Sequence, residues 1–196
     1  MTPFQTETGT VLTIDRANID TDQIIPARFL RKPRSAGYQN FLFHDLRANE
    51  PAFPLNAPGA DRCTVLLAGE NFGCGSSREG AVYALVDAGF RCVIAPSFGD
   101  IFASNAGKNG LLTITRPEAD MARLRHLPQD PTITIDLPAQ TLILADGTTV
   151  SFAVDAFRKR CLLEGLDDIG LTLEYSDDIA AWQDQDRLHR PWAMPG

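Results

Sequence analysis

Apolar residues fall into short unbroken or alternating runs separated by turn-forming stretches, the pattern of a sheet protein with helices set between its strands. GTVLTI (9–14), CTVLLAG (63–69), RCVIA (91–95) and LLTIT (111–115) read as strands, the second apolar throughout and therefore covered on both faces. Helical stretches separate the last three. In SSREGAVYALVDAG, Ser76 and Glu79 stand at capping-box spacing, Val82, Leu85 and Val86 share a face, and Gly89 supplies a stop; in SFGDIFASNAG, Ser97 and Asp100 repeat the cap spacing. Strand, helix, strand in that order predicts parallel pairing through crossovers. PEADMARLRHL (117–127) then predicts a helix starting near Pro117, TITIDL and TLILA alternate as strands, and Asp146-Gly147 predicts a hairpin turn into TTVSFAV. DAFRKRCLLEG (155–165) reads as a capped helix ended by Gly165, and SDDIAAWQDQDRL (176–188) as a terminal helix with an acidic first turn. The expectation is an α/β layer structure, with a parallel core around residues 63–115 and antiparallel strands added later.

Length and charge narrow the picture. At 196 residues the chain fits one domain, with a long excursion of Pro, Gly and Asn around residues 30–60, where chemistry is expected, and a C-terminal helix over 176–190. No apolar run approaches the ~20 residues that cross a bilayer. MTPFQTETGT lacks the basic and apolar regions of a secretory leader, so a cytoplasmic location is expected. A formal net charge of −7 argues against nucleic acid as a partner. Against that background Arg28, Arg31, Lys32 and Arg34 form a local basic cluster, which would attract a small anion or be a solvated loop. The four cysteines, Cys63, Cys74, Cys92 and Cys161, have no CxxC spacing, so no metal is expected to be bound by this chain alone. Cys63 and Cys92 read as buried small hydrophobes, and Cys74 alone lies in a motif. His44, His126 and His189 have no motif partner.

The motif is GENFGCGSSREG (69–80), where glycines permit a tight turn just before a helix. A helix N-terminus favours anions, and Ser76, Ser77 and Arg78 add hydroxyls and a bidentate guanidinium there. A phosphate loop would need Gly-Lys-Ser/Thr, a dinucleotide fingerprint a third glycine where Arg78 stands, and a nucleophile elbow GxSxG; none is present. What remains locally is an anion site or a glycine turn that merely starts a helix.

NIDTDQIIPARFL, ENFGCGSSREGAVYAL and IAPSFGDIFASNAGKNGLL, in this order, resemble the three signature stretches of isopropylmalate dehydratase small subunits, which are similar to the swivelling domain of aconitases. The resemblance covers most of residues 9–175. It implies a layered swivelling β/β/α domain, and a reaction that moves a hydroxyl between adjacent carbons of a malate-type dicarboxylate by dehydration and rehydration. It also implies a [4Fe-4S] cluster held by a separate large subunit, with which this chain forms a heterodimer or larger assembly. By position, Ser76 matches the family's catalytic base and Ser77 and Arg78 its substrate contacts; Arg34, after the TD-containing stretch, matches a second substrate arginine more loosely. Ser76 as helix cap and as base would then share one geometry. Asp20, Thr21, Asp22, Ser97 and Asp100 also fall in the signatures, but turns and helix caps account for them. Relatives commonly carry His after SSRE, where this chain has Gly80. The loop RKPRSAGYQNFLFHD resembles one branch of the family and offers Tyr38, Phe41, Leu42 and Phe43 as apolar surface for the substrate's variable group. Isopropylmalate, citramalate-like acids and a homoaconitate-type acid stay open in that order, beside a different class of function, a non-catalytic anion-binding module.

Overall fold

Strand β2 (Cys63–Ala68) is apolar nearly throughout because it runs through the middle of a sheet that is covered on both sides. Its side chains alternate: Leu66 and Ala68 enter one core with Leu12, Ile14 and Val93, while Val65 and Leu67 enter a second core with Val11, Ile94 and Leu112. The structure is a computed structural model and describes residues 1–126 and 132–193. Among these residues the sheet has seven strands in the order β4-β3-β2-β1-β5-β6-β7, the others being β1 (Thr6–Ile14), β3 (Cys92–Ala95), β4 (Leu112–Thr115), β5 (Thr132–Asp136), β6 (Thr141–Leu144) and β7 (Thr149–Ser151). β2, β3 and β4 pair in parallel and β5, β6 and β7 antiparallel, as the sequence predicts, and β1 extends both sets. The strand order is new information. β1 joins the two halves, pairing parallel with β2 on one edge and antiparallel with β5 on the other.

Among the described residues eight helices accompany the sheet: α1 (Thr21–Ile24), α2 (His44–Asn49), α3 (Glu79–Asp87), α4 (Asp100–Lys108), α5 (Glu118–Arg125), α6 (Ala156–Glu164), α7 (Asp168–Leu173) and α8 (Ser176–His189). α3 and α4 bury Val82, Leu85, Phe102 and Ala106 in the first core, which also takes the excursion's Tyr38, Leu42, Phe43 and Phe53. α5 and α6 bury Met121, Leu124 and Leu162 in the second. Asp155 caps α6 through the Arg158 N–H, and Gly165 ends it in the left-handed conformation, both as predicted. The Asp146-Gly147 turn also forms, with the Asp146 carboxylate accepting from the Thr148 N–H at 2.8 Å. The helix predicted over 117–127 spans Glu118–Arg125, and Leu127 lies outside the described residues. α7 is not foreshadowed by the sequence pattern, and the excursion is less irregular than its composition suggests: it holds α2 and several 3-10 turns, including Ala27–Arg31 and Tyr38–Phe41.

Candidate active site

The three signature loops each leave the C-terminal end of a parallel strand, 15–20 after β1, 69–78 after β2 and 96–99 after β3, so the sheet itself brings them together. Backbone hydrogen bonds then join them. The first and second loops connect through Asn18 N–H to Glu70 O (2.8 Å), Gly73 N–H to Ile19 O (2.7 Å) and Thr21 N–H to Cys74 O (3.0 Å). The second and third connect through Phe72 N–H to Ser97 O (3.1 Å) and Gly99 N–H to Phe72 O (2.9 Å). Glycine is required in the middle loop: Gly73 and Gly75 have φ of 73° and 87°, and a Cβ on Gly73 would lie 2.3 Å from the Phe102 ring.

Ser76 and Ser77 emerge from this loop into solvent, and neither hydroxyl has a partner among the described residues. They do not cap α3. The helix begins at Glu79 with Arg78 as N-cap, in extended conformation (φ −141°) and with no side-chain cap bond, so the predicted capping box of Ser76 and Glu79 is absent. The reason is tertiary. The Thr21 hydroxyl donates to the Ser76 carbonyl at 2.8 Å, and Arg78 is ion-paired with Asp22, so residues 76 and 78 are held from across the loop and kept out of the helix. The Arg78 guanidinium, with 17% of its side chain exposed, keeps the Asp22 carboxyl below the usual carboxylate range; the Ala27 N–H bond acts the same way and burial opposes both. Ser97 likewise is no cap, because its hydroxyl accepts from the Asn71 N–H at 2.9 Å and α4 begins after Gly99. Asp20 does cap α1, in a box with Gln23.

Arg34 is not brought to the serines. Its Nε lies 3.1 Å from both Asp87 oxygens, at the opposite end of α3, and its guanidinium sits 4.2 Å from the Tyr83 ring centre. Arg28 is spent on Asp45, whereas Arg31 is exposed with no carboxylate partner among the described residues. The apolar residues expected to meet a substrate side chain turn inward instead: Tyr38, Leu42 and Phe43 are buried, and Phe41 stacks on Phe29 with ring centres 4.4 Å apart. They serve the core because the loop folds back along α3 rather than standing away from it. Leu30, half-buried, remains beside Gly80. Sequence reasoning accounted for Thr21 and Asp22 as turn or cap residues and missed that they bond to the Ser76 carbonyl and to Arg78; burial of Thr21 at 3% is the signal, and it exists only in three dimensions.

The chain's own donors do not fit an iron–sulfur cluster: Cys63, Cys92 and Cys161 are buried in separate elements, and among the described residues no three of His, Cys, Asp and Glu converge as metal ligands. Nor is any helix among them long and apolar enough to cross a membrane.

Sequence profiles of known families match along the chain: the aconitase C-terminal domain over residues 1–119, LeuD_N over 129–156 and, over 168–194, the C-terminal domain of the 3-isopropylmalate dehydratase small subunit. The 3-isopropylmalate dehydratase small subunit of Acidobacterium capsulatum is 51% identical over 186 residues, which are 93% of this chain and 90% of that protein. The crystal structure of 3-isopropylmalate dehydratase (LeuD) from Methanocaldococcus jannaschii superposes with a TM-score of 0.68 at 27% identity, covering 91% of this chain and 99% of the other.

Proposed function

The chain belongs to the family of 3-isopropylmalate dehydratase small subunits, and we propose from this that it works in leucine biosynthesis with a large subunit, interconverting 2- and 3-isopropylmalate by dehydration and rehydration. One observation carries the reading at the level of residues: three loops at the ends of β1, β2 and β3 converge to present an unpartnered Ser76-Ser77 pair beside a fixed Arg78. In this proposal Ser76 takes the carbon-bound proton, Ser77 donates to a substrate carboxylate, and Arg78, aimed by Asp22, grips a carboxylate through its planar fork. A serine hydroxyl is a weak base, so its alkoxide needs nearby positive potential. Arg78 and the N-terminal end of α3, which no side chain caps, supply that potential. Arg34 enters only by leaving Asp87; with 44% of its side chain exposed, that surface pair holds it by about 0–1 kcal/mol, little enough for a substrate carboxylate to compete.

The [4Fe-4S] cluster belongs to the large subunit in this reading, and when bound there it supplies a Lewis acid for the substrate hydroxyl. Supporting a partner, most exposed large apolar side chains among the described residues fall in the C-terminal part, including Phe157, Ile169, Leu173, Trp182 and Trp192.

Reconstitution with the large subunit tests the assignment. Ser76→Ala should lower kcat by about 10²- to 10⁴-fold with KM little changed, whereas Arg78→Lys should chiefly raise KM by losing the fork. A near-normal kcat for Ser76→Ala would leave the loop as an anion-binding element and remove the serine from the chemistry.

A further inference from the structure

Ser76 lies outside every helix and strand, one residue after Gly75, whose φ of 87° is a left-handed conformation that glycine adopts without strain. A group that must meet a carbon-bound proton needs a fixed place, since a misplacement of about 1 Å costs on the order of 10²-fold in rate. What fixes the serine is on the other side of the loop. Thr21 is the one polar residue buried in full among the described residues, at 3% exposure. Its N–H donates to the Cys74 carbonyl at 3.0 Å and its hydroxyl to the Ser76 carbonyl at 2.8 Å, so a single residue holds the carbonyls of both neighbours of Gly75.

Thr21 is itself held. It is the first residue of α1, behind the Asp20–Gln23 capping box, and its carbonyl accepts from the Ile25 N–H at 3.0 Å. A β-branched side chain has few χ1 choices, and a buried hydroxyl must keep a partner, so the bond to Ser76 is stiff from both ends. We infer that Thr21 is a positioning residue for the reaction: it sets where the Ser76 hydroxyl points while touching no substrate. The inference rests on the reading of Ser76 as the base.

The test compares Thr21→Val, which keeps shape and branching but loses the donor, with Thr21→Ser, which keeps the donor, and with Ser76→Ala, all in the complex with the large subunit. Thr21→Ala is measured alongside, so that the comparison does not depend on how well valine packs. Loss of the hydroxyl should reduce kcat by about 10- to 100-fold with KM within about threefold of wild type, and Thr21→Ser should recover most of kcat. A purely architectural role predicts the reverse: a lower melting temperature with unchanged kcat per assembled complex. If Thr21→Val and Thr21→Ala turn over within about twofold of wild type while Ser76→Ala is crippled, the inference is overturned and the base stands. If Ser76→Ala turns over normally, the base itself fails and Thr21 loses its role with it.

Discussion

At Gly80 an added Cβ would stand 2.5 Å from the Leu30 side-chain tip and 3.3 Å from the Tyr38 ring. The family departure visible in the sequence therefore has a local cause: the helix gives up a side chain so that the loop can lie against its first turn. Gly80→Ala would gain about 1 kcal/mol of helix propensity and lose about 1–3 kcal/mol to overpacking. Because Leu30 is flexible and half-buried, the net effect should be a modest destabilisation that Leu30→Ala relieves. A double-mutant cycle in denaturant should show a coupling of about 0.5–3 kcal/mol between the two positions, and simple additivity would mean that the loop does not rest there. Residues of this kind divide what is legible in the sequence from what is not. Ser76, Ser77 and Arg78 stand out because their chemistry is adjacent, and Asp20, read with its neighbours as a turn or cap residue, does cap α1. Thr21 and Asp22 pass for turn and cap residues, since their real partners lie 55 and 56 positions along the chain.

Among the elements, strands and central helices follow from periodicity, whereas two helix starts are misread and the short helices α1, α2 and α7 are not foreshadowed. The cap spacings at Ser76 and Ser97 are correct as local chemistry, yet both residues are claimed by neighbouring loops, and tertiary bonds outcompete a cap worth about 1 kcal/mol. The excursion could not be placed from composition, because what orders it is a series of contacts along α3, at Gly80, Tyr83 and Asp87. Asp87 lies at the negative end of the helix dipole, an unfavourable position that Arg34 offsets. Asp87→Ala should thus change overall stability by less than about 1 kcal/mol but free the turn that Arg34 begins. Trypsin should then cut after Arg31 or Arg34 faster than in the wild type, while the melting temperature stays nearly constant; equal cleavage rates would assign the loop's order to Tyr38 and Phe41 alone.

For the molecule as a whole, the parallel half carries the candidate site and the C-terminal part carries most of the exposed large apolar side chains among the described residues. Among the described residues no hydrogen bond or ion pair links α8 to the sheet or to α3–α6, and none of its residues is buried. Removing residues 175–196 should leave the circular dichroism melting curve of the remainder almost unchanged while weakening association with the large subunit, read by titration calorimetry or gel filtration. Unchanged affinity would move the contact surface to the loops around Ser76. Fold class, the division into parallel and antiparallel halves and the Asp146-Gly147 hairpin are all legible, but strand order is not, because nothing local tells β1 that β5 is its second neighbour.

That double pairing of β1 has a consequence for how the protein is made. The first strand leaves the ribosome with both edges bare; one partner, β2, follows from residue 63, and the other, β5, only from residue 132. Such long-range pairing is slow and leaves strand edges open to wrong partners in the meantime. The three loops around Ser76, by contrast, are all synthesised by residue 99. A nascent chain can thus bring these three loops together before the strand that began it has been closed off from its neighbours.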